Sequence, residues 1–294
     1  MATISTLKET QSRRSVKSWL ARYPLLFFFL IAFGFSWSMM LPALLGENGL
    51  GLLDYTLSTG QVQLLAILFS FGPLISGIIM STVTGSGVRA LLRSYGRLRA
   101  SLGMYLAALI GPPVAIMLGA FLLRGVSAFQ VFSQDGWMAV PYYLLFVIVF
   151  LPIGGPLGEE AGWRGFALPR LERRFGVLLA SLILGLLWAG WHLMNFFVPE
   201  AGTWTGSIPL YLVLMISLSI LHTWVYNRTG ESLFMVTLFH ATIDAAAKLL
   251  LPMIFDTHRA AGNLALLSGI GLWAILVIVL TRGRLGYSEA KAEQ

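Results

Sequence analysis

Residues 263–281, NLALLSGIGLWAILVIVLT, run for nineteen positions without a charge. A helix that crosses a bilayer needs roughly 20 mostly apolar residues, and this stretch has both the length and the composition. Seven other runs resemble it: 23–43, 61–82, 103–123, 137–156, 177–198, 207–226 and 232–254. They are continuous rather than alternating, so the strands of a β-barrel are excluded. The expected fold class is all-α: a polytopic membrane helical bundle of about eight transmembrane helices.

Composition supports the same solvent. Charged residues make up 11% of the chain and apolar ones 57%, with a mean hydropathy of +0.78. A water-soluble domain carries about 25% charged residues; this chain has too few to cover a wet surface. The first run exceeds the usual signal-peptide core and no small-x-small cleavage site follows, so it reads as a signal anchor. Cysteine is absent, which removes thiolate chemistry, disulfides, and prenyl or palmitoyl anchors on this chain.

Charge placement tests the eight-span reading independently. Of the 20 Lys and Arg residues, 17 precede the first run, follow an even-numbered run or end the chain. Only Arg124 and Arg259 lie in the other loops, and Lys248 falls within a run. By the positive-inside rule both termini are expected in the cytoplasm, and a prokaryotic chain of this kind belongs in the cell membrane. The net charge of +7 comes from this asymmetry. A nucleic-acid partner would need a folded basic face, so none is expected. Residues 1–22 read as a basic cytoplasmic segment, 23–282 as a single membrane domain, and 283–294 as a cytoplasmic tail.

Ionisable residues inside membrane segments are costly and are functional candidates by default. They are Glu159, Glu160 and Arg164 after the fourth run, His192 in the fifth, His222 in the sixth, and His240, Asp244 and Lys248 in the seventh. In "EEAGWR" (159–164), Glu160 and Arg164 are i,i+4 neighbours and can pair on one helix face. Glu159 points about 100° away and lacks a local cation. A partnerless carboxylate in a poorly hydrated site is the stronger base, which suits general-base catalysis near neutral pH. The competing reading is a solvated loop cluster. In "WAGWHLMNFF" (188–197), Trp188 and His192 are also i,i+4, with Asn195 one turn on; a hydrogen-bonded core histidine is the alternative there. In "FHATIDAAAK" (239–248), Asp244 can hold one ring nitrogen of His240 and set its tautomer; the alternative is a structural interhelical bond. If these segments converge, they line a cavity equipped to activate water, and hydrolysis of a peptide bond is the natural reaction class.

These stretches resemble the motifs of the CAAX-protease and bacteriocin-processing (CPBP) family of intramembrane proteases, the type II CAAX endopeptidases. EExxxR is met by Glu159, Glu160 and Arg164. FxxxH is met with Trp188 in place of Phe, followed by His192. HxxxN or HxxxD is met by His240 and Asp244. The resemblance covers roughly residues 137–250. It implies that Glu159 is the general base on the attacking water, assisted by His192. It further implies that His240 and Asp244 stabilise the oxyanion while Glu160 and Arg164 brace the site. Trp188 and Asn195 are candidates for substrate binding. An ionised Asp244 cannot donate a hydrogen bond and would orient His240 or a metal instead.

No cofactor is demanded by the sequence. If a divalent metal such as zinc is bound, Glu159, His192 and His240 supply the three protein ligands of a catalytic site; a metal-free Glu/His mechanism is the other reading. The implied substrate is a membrane-embedded or lipidated protein or peptide, either a prenylated CAAX protein or a bacteriocin-type precursor, met within the bilayer lipid. The rival readings are a proton-coupled transporter and an inactive membrane immunity or adaptor protein. Straight, flush helices would leave His192 about 22 Å deep, His240 about 13 Å deep and Glu159 at the rim. Residues 157–172 are therefore expected to be helical and to dip into the bilayer, or the fifth span to begin outside it.

Overall fold

The computed structural model describes residues 17–153, 155–201, 207–256 and 258–287. Lys8, Arg13, Arg14 and Lys291, which enter the charge count above, lie outside them. The described residues form helices joined by short connections, with no strand among them. The first span is α1 (Pro24–Leu45). The second is α2 (Thr59–Ser70) and α3 (Gly72–Thr84), broken at Phe71 ahead of Pro73. A short α4 (Val88–Arg93) leads to α5 (Leu102–Arg124). Next come α6 (Ala139–Ile153), α7 (Gly155–Gly162), a π-helical turn (Trp163–Ala167) and α8 (Leu168–Phe175). The chain ends with α9 (Val177–Trp191), α10 (Ile208–Arg228), α11 (Leu233–Phe255) and α12 (Arg259–Thr281).

Seven helical segments are long and apolar enough to cross a membrane, or eight when the pair Gly136–Pro152 and Gly155–Phe175, bent by 50°, is taken as one broken span. The chain is thus an integral membrane protein built as an all-α bundle. Large apolar side chains cover its outside, as on α12, where Ile275, Leu276, Val279 and Leu280 are all exposed. In water such a stripe would be a liability; against acyl chains it is the expected coat.

The connections sort into two ends. Arg97, between the second and third spans, donates to the Gly230 carbonyl between α10 and α11 at 2.9 Å. Arg170 on α8 donates to Ser86 at 3.2 Å. At the opposite end Asn48 donates to Glu200 at 3.3 Å, and Arg124 to the carbonyl of Ile254. The loops rich in Lys and Arg therefore gather together, as their charge predicted.

Without water to drive helices together, close approach and buried hydrogen bonds do the work. The hydroxyls of Ser36 and Ser76 donate to the carbonyls of Phe69 and Phe28, both at 2.6 Å, tying α1 to the broken second span. Thr242 on α11 donates to the Ala108 carbonyl on α5 at 2.6 Å. Glycines set the closest crossings. A Cβ on Gly119 would strike the Ala265 carbonyl, and one on Gly269 the Ala115 carbonyl, so α5 and α12 meet backbone to backbone. On α7, Gly158 lies against the Ser70 carbonyl and Gly162 against that of Pro73. That contact docks the acidic segment on the break between α2 and α3. The expectation that 157–172 is helical holds, and the segment packs inside the bundle between α3 and α11.

Overpacking a tight crossing costs about 1–3 kcal/mol. Gly119→Ala should lower the thermal unfolding midpoint of the detergent-purified protein. Gly34→Ala, at a position with open space around it, should leave the midpoint unchanged or raise it.

Candidate active site

α7 is eight residues long and carries both acids on its second turn. The π turn that follows places Arg164 beneath them, its wide backbone ring closed by the Leu168 N–H on the Trp163 carbonyl. Such turns cluster at functional sites because they re-aim side chains within a helix. Arg164 Nη1 donates to Glu160 Oε1 at 3.0 Å, and both side chains are fully buried. The expected i,i+4 pair is present.

The same carboxylate oxygen receives His240 Nδ1 from α11 at 2.7 Å. Asp244 was expected to hold that ring; among the described residues Glu160 does so, and no hydrogen bond joins Asp244 to His240. The reason is geometric. α7 packs against α11, and the fully buried Glu160 carboxylate takes the His240 ring as a second partner beside Arg164, as a charge without water requires. Asp244 remains half-buried, one turn beyond His240.

Glu159 points to α9. The Trp188 indole donates to its Oε2 at 2.6 Å. Trp188 was expected to face substrate; instead it is the hub of the site. The Arg164 guanidinium lies 4.4 Å from its ring centroid, a cation–π contact. The rings of His192, His222 and His240 stand 5.8, 5.2 and 5.3 Å away. Every face of the indole is occupied, so Trp188 positions these groups and leaves no surface for a ligand. The glycine at 155 leaves room for the Glu159 carboxyl one turn later.

His192 ends α9 and is half-buried. Its Nδ1 bonds to the Trp188 carbonyl at 3.0 Å. A carbonyl can only accept, so Nδ1 carries the proton and Nε2 keeps its lone pair. Asn195 follows on the 3₁₀ turn at His192–Phe196, also half-buried. Trp163 and Trp191 seal the other side with Phe28, Phe29 and Phe69, their rings 4.1 to 6.0 Å apart. His222 and His240 lie about two turns from the same ends of α10 and α11, whereas His192 is about four turns into α9, yet the rings of His192 and His240 both flank Trp188. The helices are not flush, and this offset resolves the mismatch in depth.

One residue was missed among the site candidates. His222, on α10, is fully buried with Nε2 3.9 Å from Glu160 Oε1. Its sequence signal was its presence as an ionisable residue in a span; no motif contains it. The ligand atoms of Glu160, His222 and His240 all lie within 4.8 Å of one another. The set expected for zinc was Glu159, His192 and His240, so only His240 is common to both.

Residues 141–246 match a family described as type II CAAX prenyl endopeptidase, Rce1-like. The chain is also 27% identical over 111 residues to CAAX prenyl protease 2 of Methanococcus maripaludis. That alignment covers 35% of this chain and 40% of the relative, so the chain spans less than half of the protein it matches. The family match falls on the stretch that carries the three motifs, and both matches support the family resemblance read from them.

Removing one partner of a buried ion pair costs about 3–5 kcal/mol because the other charge is stranded. Arg164→Ala should therefore destabilise the protein sharply in thermal unfolding. The double change Arg164→Ala/Glu160→Gln should recover part of the loss.

Proposed function

We propose that this protein is an intramembrane endopeptidase that hydrolyses a peptide bond in a membrane-associated, prenylated protein. The observation that carries the reading is Glu159: a carboxylate 4% exposed, held on one oxygen by the Trp188 indole and carrying no hydrogen bond from the protein on the other among the described residues. That free oxygen is the base. It accepts a proton from water as the water oxygen attacks the scissile carbonyl carbon. It returns the proton to the leaving nitrogen as the C–N bond breaks.

His192, half-buried at the end of α9, supports this step, because its Nε2 lone pair can accept the second hydrogen of the attacking water and aim it. His240 stands across the site, one edge engaged by Glu160; a proton on Nε2 makes its other edge a donor to the developing oxyanion. Asp244, a turn further along α11, faces the charge that forms on this ring. Glu160 and Arg164 brace the pair, and Asn195 is placed to meet substrate. The chemistry is assigned to Glu159 without a metal; the residues grouped closely enough to hold a divalent ion are Glu160, His222 and His240.

The names of the matched family and relative point to a prenylated substrate. A peptide precursor of the bacteriocin type is the alternative within the same reaction. The end of the bundle that gathers Lys and Arg faces the cytoplasm by the positive-inside rule, and residues 23–282 act as one membrane domain.

In proteoliposomes supplied with prenylated peptides and read by mass spectrometry, Glu159→Gln should reduce cleavage at least about 100-fold with the unfolding midpoint unchanged. His192→Ala should also abolish it. Trp188→Phe, which keeps the ring but loses the N–H, should cost about tenfold, the worth of one hydrogen bond to a charged group. Full cleavage by Glu159→Gln would remove the base assignment.

A further inference from the structure

His222 has no part in the hydrolysis described above, yet it is one of the most deliberately placed side chains in the bundle. Its Nδ1 bonds to the Leu218 carbonyl at 2.7 Å, which puts the ring proton on Nδ1 and the lone pair on Nε2. Nε2 is buried and has no hydrogen-bond partner, and neither has Glu160 Oε2. Nε2 stands 3.9 Å from the other carboxylate oxygen, Oε1, which already holds Arg164 and His240, in a site without exposure. Among the described residues the cluster thus keeps two buried polar atoms unsatisfied, His222 Nε2 and Glu160 Oε2, and such atoms call for a partner.

A proton does not bridge the gap, since hydrogen bonds between nitrogen and oxygen close at about 2.7–3.2 Å. A metal ion does. With bonds of about 2.0–2.2 Å to nitrogen and oxygen, a zinc-type cation spans about 4 Å between opposed ligands. Tetrahedral ligands sit about 3.3 Å apart by the same bond lengths. The observed separations from Glu160 Oε1, 2.7 Å to His240 Nδ1 and 3.9 Å to His222 Nε2, lie on either side of that value. Metal-binding histidines commonly donate their second ring N–H to a backbone carbonyl, as His222 does.

We infer that Glu160, His222 and His240 form a binding site for one divalent cation of the zinc type, with Arg164 orienting the carboxylate from behind. Three protein ligands leave one position of a tetrahedral ion open. With the ion on Nδ1 of His240, the ring proton resides on Nε2. The site goes beyond the protease reading and stands or falls separately from it, because ion binding is read without turnover.

The test uses the full chain, purified in detergent without chelators, then stripped and reloaded with zinc or cobalt. Metal analysis should return one ion per chain, and cobalt should give the visible absorption of a tetrahedral nitrogen–oxygen site. His222→Gln should weaken zinc binding at least about 100-fold, and His240→Gln likewise. Glu159→Gln, His192→Gln and, at the exposed histidine that precedes α12, His258→Ala should each keep the ion; unfolding midpoints identify any variant that fails to fold. Loss of the ion in Glu159→Gln or His192→Gln but not in His222→Gln would overturn this ligand set. Stripped protein that takes up no zinc would overturn the site itself. Cleavage by metal-free protein would still leave the proposed hydrolysis intact, and a metal-loaded but inactive protein would leave only the ion site.

Discussion

A single buried carboxylate organises the functional half of this protein. Glu160 receives Arg164 from its own segment and His240 from α11, and it faces His222 on α10. A charge so deep in the bundle must be answered by other charges and donors. Three helices are therefore committed to one another through a few polar atoms. The remaining contacts, from the Trp188 hub to the aromatic wall of Trp163 and Trp191, keep those atoms dry and fixed.

Such an arrangement needs helices that approach more closely than ordinary side chains permit. The glycines of α7 let the acidic segment rest on the backbone of the broken second span, and those of α5 and α12 let the far side of the bundle close. The break at Phe71 and the 50° bend before Gly155 have a shared consequence. Each exposes main chain within the bundle, and each is filled by the other's neighbour. Irregular backbone is tolerated at this depth only where protein covers it.

Division of labour between the two adjacent acids follows from the helical repeat. Glu160 turns inward to its cation and histidines; Glu159, about 100° away, meets only an indole N–H. The indole of Trp188 holds one oxygen of the Glu159 carboxyl and leaves the other without a hydrogen bond from the described residues.

The spans, the paired Glu160 and Arg164, and the clustering of basic loops were all legible in the sequence, because hydropathy, i,i+4 spacing and charge asymmetry are local properties. The helical character of 157–172 was legible too, from the conflict in depth that straight helices would create. Three things were not: that Glu160 rather than Asp244 holds His240, that Trp188 is enclosed, and that His222 belongs to the cluster. Each depends on which helix faces cross, and that is set by close packing such as Gly158 and Gly162 against the backbone of Ser70 and Pro73, partners distant in sequence. Sequence alone determined that this chain lives in lipid and which polar groups it hides there. Tertiary structure decided which of those groups meet, since a buried charge selects its partners by distance in space.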